Sequence, residues 1–185
     1  MGKTVSFSKV MKTTALITGA LTLVLILLYR TFPLDWLLSA AITAGTTFYH
    51  FAMRLLVGTL VPLCIRNPMK HRWFHQNPFE AKLYEMMKVK RWKDHMPTYD
   101  PAAFSLRNHT LEQIVDTCCV SEVVHEIIIL FSFLPLFFAH WWGAFPVFLI
   151  TSVLAALVDC SYAVMQRYNR PRLVRILAKK EAQGL

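Results

Sequence analysis

Acidic residues are scarce in this chain, 11 Asp and Glu against 20 Lys and Arg among 185 residues, for a formal net charge of +9. Charged residues make up only 17% and hydrophobic ones 55%, with a mean hydropathy of +0.41. Soluble domains carry about 25% charged residues, so an ordinary soluble domain is excluded. The six glycines form no Gly-rich phosphate loop, so nothing supports a nucleotide-binding fingerprint of that kind. Cys64, Cys118, Cys119 and Cys160 include no partner pair at metal-ligand spacing, which argues against a zinc site and against disulfides. No small-residue cleavage pattern follows the first apolar run. Tyr29-Arg30-Thr31-Phe32-Pro33 leads directly into a second run, so the first reads as a retained span and not a secretory signal. Internal repeats and low-complexity tracts are also lacking.

What the chain has is four apolar runs, Thr13 to Tyr29, Leu34 to Met53, Val120 to Ala139 and Phe145 to Met165, close to the roughly 20 residues that cross a bilayer as helix. They predict an all-α integral membrane protein, one membrane domain over 1–185 with four transmembrane helices. Lys3, Lys9 and Lys12 precede the first run, nine Lys and Arg lie between Arg66 and Ser121, and six follow Gln166. By the positive-inside rule both termini, the loop 66–119 and the tail 166–185 are expected in the cytoplasm, with the turns at Arg30 to Pro33 and His140 to Gly143 outside. Leu55 to Ile65 continues the second run past the breakers Gly58 and Pro62, and is expected to kink or to lie along the interface. In the central loop, His71-Arg72-Trp73-Phe74-His75 and Lys88-Val89-Lys90-Arg91-Trp92-Lys93 interleave aromatic and basic residues, the composition of an element in the headgroup region. A short interfacial helix is expected over Glu80 to Arg91. Pro97 and Pro101 break the chain, and Leu111 to Val115 begins the helix that enters the third span.

The polar residues inside the apolar segments, His50, Arg54, Glu122, His125, Glu126, Asp159 and Gln166, all fall towards the cytoplasmic side. A charge at mid-bilayer costs about 2.5–3.5 kcal/mol on insertion scales, so such side chains face a protein interior or a wet cavity. On a helix, His125 and Glu126 lie about 60° and 40° to either side of Glu122, on one face. A carboxylate beside an imidazole builds a general base, here His125 oriented by Glu122. The plainer alternative is that these groups solvate a helix end or pair with Arg54. His50 and Arg54, one turn apart, supply a second candidate wall, with Arg54 as an oxyanion donor or as the ion-pair partner of Glu122, Glu126 or Asp159. Asp159 reads as a buried counter-ion. In Gln166-Arg167-Tyr168-Asn169-Arg170-Pro171-Arg172-Leu173, the forked arginine donors suit phosphate, while Asn169 and Pro171 suggest a shaped turn.

Three blocks in order, Lys90-Arg91-Trp92-Lys93 with Pro97, Glu122-Val123-Val124-His125, and Gln166 through Leu173, resemble the bacterial glycosyl-4,4'-diaponeurosporenoate acyltransferase family, over about Phe79 to Leu177. The resemblance implies a small multi-pass enzyme of the bacterial cell membrane that esterifies a fatty acyl chain onto the sugar of a glycosylated carotenoid. It implies site roles for Trp92, Lys93, Glu122, His125, Gln166, Arg167, Asn169, Arg170 and Arg172. The expected function is therefore O-acyl transfer to a hydroxyl of a glycosylated isoprenoid or other lipid at the cytoplasmic interface. An acyl-CoA is the expected cosubstrate, with no permanently bound cofactor, no metal and no nucleic-acid partner. Two alternatives stand beside it: a small membrane methyltransferase or reductase of isoprenoid lipids, and a non-catalytic lipid-binding protein.

Overall fold

The computed structural model describes residues 7–66 and 68–183, and among them every regular element is helical. Four stretches are long and apolar enough to cross a membrane: Phe7–Thr31 (α1), Asp35–Cys64 (α2), Leu111–Trp142 and Phe145–Ala182 (α7). Lys3, one of the basic residues used to orient the first span, lies outside the described residues. The helices overrun the apolar runs that predicted them. α2 continues past Met53 to Cys64 as a single α-helix, because Pro62 falls in its last turn and interrupts only the end of the hydrogen-bond ladder.

Two compact units are distinguished, Met1–Val57 with Ile127–Val158, and Gly58–Glu126 with Asp159–Leu185. In the first, α1 and α2 form an antiparallel hairpin with its turn at Phe32 to Leu34. Small residues let the backbones approach: a Cβ on Gly19 would stand 3.0 Å from the Phe48 ring, and one on Gly45 would stand 3.4 Å from Thr22. Leu16, Ile17, Leu23 and Leu27 remain exposed, the apolar surface that a helix presents to lipid. The third span's α-helix, Leu111–Phe131 (α5), ends where Pro135 withdraws the N–H that would have bonded the Phe131 carbonyl. The Tyr49 hydroxyl donates to that carbonyl instead, at 2.8 Å. A 3-10 turn Leu134–Phe138 and the short helix Ala139–Trp142 (α6) then lead to Gly143 at φ +65°, ahead of α7.

The second unit holds the polar half. Asn77 caps Pro78–Met86 (α3) by accepting the Phe79 N–H, with Pro78 at the first helical position, where no donor is missed. The helix expected over Glu80 to Arg91 is divided in two. Lys88 adopts a left-handed conformation at φ 51°, which stops α3 and starts a separate turn, Val89–Trp92 (α4). The opening of α5 at Leu111 is as expected, and its cause is a capping box: Thr110 Oγ1 accepts the Gln113 N–H at 3.2 Å, and Gln113 Oε1 accepts the Thr110 N–H at 3.0 Å. The shaped turn expected at Asn169 and Pro171 is not formed. α7 runs through both to Ala182, a proline costing one ladder bond that the flanking packing of the helix absorbs.

Candidate active site

Glu122, His125 and Glu126 of α5 meet Asp159, Arg167 and Arg170 of α7 in two motifs. The first is a histidine–acid pair. His125 Nδ1 lies 2.9 Å from Asp159 Oδ1, with Asp159 2% exposed and His125 20% exposed. Tyr162, almost a full turn beyond Asp159 on α7, stacks on the His125 ring at 4.9 Å between centroids and 11° between planes. Its hydroxyl donates to the Pro97 carbonyl at 3.0 Å, tying the central loop to the pair. With the carboxylate accepting, Nδ1 carries the hydrogen and Nε2 presents its lone pair. This corrects the expectation that Glu122 orients His125. The sequence signal for Asp159 was a lone buried acid, and its meaning depended on which helix faced it.

The second motif is where Glu122 goes. It is fully buried and takes its cations from α7: Arg170 Nη1 bonds its Oε2, and Arg167 Nη1 bonds its Oε1 at 3.1 Å. Of the three acids expected as partners for Arg54, Glu122 thus takes its cations from α7 instead. Arg167 also reaches Glu80 at 2.8 Å, Glu126 at 3.7 Å and the Trp73 carbonyl at 3.3 Å, and its guanidinium lies 5.4 Å from the Trp73 ring centroid. Trp73 Nε1 closes the circuit by donating to Glu126 at 3.2 Å. Three carboxylates thus surround two guanidiniums. Removing one partner of such a buried pair costs about 3–5 kcal/mol, because the other charge is left without compensation. The helical spacing explains the arrangement, since Gln166 and Arg170 are one turn apart and both are buried on the same face of α7. Arg170 keeps its Nε and Nη2 buried without a nitrogen or oxygen acceptor, and the Cys119 thiol lies alongside.

The remaining predicted residues form a more exposed group. Lys93 bonds Asp94 at 2.5 Å, and this hydrogen bond, with the nearby charges of His95 and Arg172, holds the Asp94 carboxyl below the usual carboxylate range. Asp94 thus feels the charge of Arg172, which lies 78 residues further along the chain. Arg172 also reaches back one turn to the Tyr168 hydroxyl at 2.5 Å and covers its ring at 4.4 Å. Trp92 donates locally to the Met87 carbonyl at 3.1 Å, and Asn169 is half-buried on α7. A His-x4-Asp spacing, His95 to Asp100, is a signal that sequence reasoning missed. In the structure Asp100 caps the 3-10 turn Pro101–Phe104 by accepting the Ala102 N–H at 3.0 Å.

His50 and Arg54 belong to the first unit. His50 is buried, and Arg54 donates from Nη1 to the His50 carbonyl and from Nη2 to the Ala155 carbonyl, both at 3.0 Å. The oxyanion role expected of Arg54 thus falls to a guanidinium that already serves two backbone carbonyls.

A family model described as glycosyl-4,4'-diaponeurosporenoate acyltransferase matches residues 70–179, a stretch that includes the histidine–acid pair and the whole carboxylate–guanidinium circuit. No curated protein and no solved structure matches the chain.

Proposed function

Because the chain belongs to the glycosyl-4,4'-diaponeurosporenoate acyltransferase family, we propose that it transfers a fatty acyl group from an activated thioester to a hydroxyl of a glycosylated isoprenoid, at the cytoplasmic face of a bacterial membrane. The observation that carries this reading is the 2.9 Å bond between His125 and Asp159, next to the stacked Tyr162.

His125 Nε2 takes the proton of the acceptor hydroxyl while that oxygen attacks the thioester carbonyl. The tetrahedral adduct collapses, the carbon–sulfur bond breaks, and the imidazolium returns its proton to the departing thiolate. The products are an ester and a free thiol, so one proton passes through His125 and none is gained or lost. Asp159 holds the tautomer and stabilises the imidazolium, as an acid does behind a histidine base. General-base assistance of this kind is worth about 10²–10⁴-fold. Glu122, Arg167 and Arg170 lock α5 to α7 and so fix the alignment of His125 with Asp159. Lys93 and Arg172 are the cations proposed to meet the donor's outer phosphates. The exposed leucines of the first unit suit a lipid-embedded body, and the basic loop and tail suit the cytoplasmic side.

The test is mass spectrometry of membrane lipids from cells expressing the chain or its His125→Gln variant, supplied with labelled fatty acid. A labelled ester that disappears with the substitution, at equal protein in the membrane, is the expected result. An ester that persists at the same level overturns the assignment of His125.

A further inference from the structure

The second unit contains a recess that the acyl-transfer scheme leaves unused. Its volume is about 340 Å³, and its wall includes Arg170 and Arg175 of α7, Phe74, His75 and Gln76 from the segment before α3, and Cys119 of α5. That size falls within the roughly 300–1,000 Å³ of small-ligand pockets. Arg170 is 2% exposed. Its Nη1 is committed to Glu122, and the Phe74 ring covers the guanidinium at 5.1 Å. What remains is the edge formed by Nε and Nη2, both buried and without a nitrogen or oxygen acceptor, with the Cys119 thiol as the side chain that meets the guanidinium there. Those two N–H groups point in parallel, the fork that takes two oxygens of one phosphate or carboxylate. Desolvated donors of this kind are kept only at a cost that a ligand's oxygens would remove.

The charged side chains in the wall itself are basic, while the Asp116 carboxylate stands behind it, accepting from the Met69 backbone. Among the described residues no carboxylate lines the recess, although three acids crowd the guanidiniums just beyond Arg170. Arg175 and His75 stand at the exposed rim, and Gln76 adds an amide donor.

We propose that this recess is a phosphoryl-binding site, with the Nε–Nη2 fork of Arg170 on two phosphate oxygens, Arg175 and His75 at the mouth, and the apolar wall beside Phe74 receiving the group that carries the phosphate. The inference rests on the acyl-transfer reading for its choice of ligand, the phosphomonoester end of a soluble coenzyme A thioester. The same chemistry is offered by the headgroup of an anionic phospholipid, and the experiment separates the two.

The full chain in phosphatidylcholine nanodiscs is titrated with coenzyme A and with 3'-dephospho-coenzyme A, then with coenzyme A in nanodiscs containing phosphatidylglycerol. The expected result is tighter binding of coenzyme A by about tenfold or more, with the advantage abolished by Arg175→Gln. Arg175 is exposed, so this variant is expected to fold, and His75→Gln provides a second. Equal binding of the two coenzyme A probes, weakened by phosphatidylglycerol in the wild-type chain but not in either variant, assigns the site to a headgroup. Unchanged binding of both probes in both variants overturns the proposal. Acyl transfer separates the two readings: a wild-type KM for the donor in Arg175→Gln, with product still formed, sinks the recess alone. Phosphate-dependent binding by a chain that makes no ester sinks the acyl-transfer reading and leaves the recess standing.

Discussion

The imidazole of His125 is held by Asp159 of another helix, at 2.9 Å, and not by Glu122, the acid one turn away on its own helix. An amide in place of Asp159 could donate to Nδ1 and so place the hydrogen on Nε2, the wrong nitrogen for a base. Asp159→Asn is therefore expected to lower kcat for ester formation by about 10²–10⁴-fold while KM for the donor changes little. Single-turnover acyl transfer in purified nanodiscs is the measurement. A kcat within twofold of wild type would remove Asp159 from the mechanism.

Glu122 should behave differently, through stability. Glu122→Ala leaves Arg170 buried beside a vacated carboxylate and is expected to cost about 3–5 kcal/mol. Combining it with Arg170→Met removes both charges and should recover most of that loss. Thermal unfolding in a mild detergent distinguishes the cases. Equal destabilisation by the single and the double variant would mean that the pair is not the reason for the loss.

These two acids also mark how far the sequence could be read. The four spans followed from unbroken apolar runs, and the start of α5 from turn and capping residues that lie next to each other in the chain. The shared face of Glu122, His125 and Glu126 followed from helical spacing alone. The partners did not, because each is supplied by α7: Asp159 for His125, Arg170 for Glu122, Arg167 for Glu126. Spacing within one helix cannot rank an adjacent carboxylate against one 34 residues away. Pro171 misled for a related reason. It breaks helices locally, but here the buried pairs made by Arg167 and Arg170 hold its flank in helix.

Tyr84, buried on α3 and bonded to Glu80 at 3.3 Å, gives the fold a specific alkaline sensitivity. Burial first, and the Glu80 charge second, push its hydroxyl well above the ordinary phenol value. Above about pH 10 the unfolded tyrosine loses its proton while the folded one keeps it, so the folded state binds more protons and stability falls as pH rises. The slope from this group is up to about 1.4 kcal/mol per pH unit. Tyr84→Phe should remove that contribution. Chemical denaturation compared at pH 9 and pH 11 tests it, and an identical pH dependence in the variant would refute the assignment.

Two glycines of α2's neighbourhood should respond to added side chains in opposite directions. A Cβ on Gly19 would meet the Phe48 ring at 3.0 Å, whereas one on Gly58 would meet nothing within 4 Å. Gly19→Ile is expected to destabilise by about 1–3 kcal/mol through overpacking against Phe48. Phe48→Ala opens that space, so the same isoleucine in its background should cost markedly less, with a coupling of about 0.5–3 kcal/mol. Gly58→Ala adds no clash and stiffens a helical position, for an expected gain of about 0.4–1 kcal/mol. Unfolding midpoints of the four variants in one detergent decide the matter. An isoleucine at position 19 that costs the same with and without the Phe48 ring would mean that α1 and α2 do not pack through this contact.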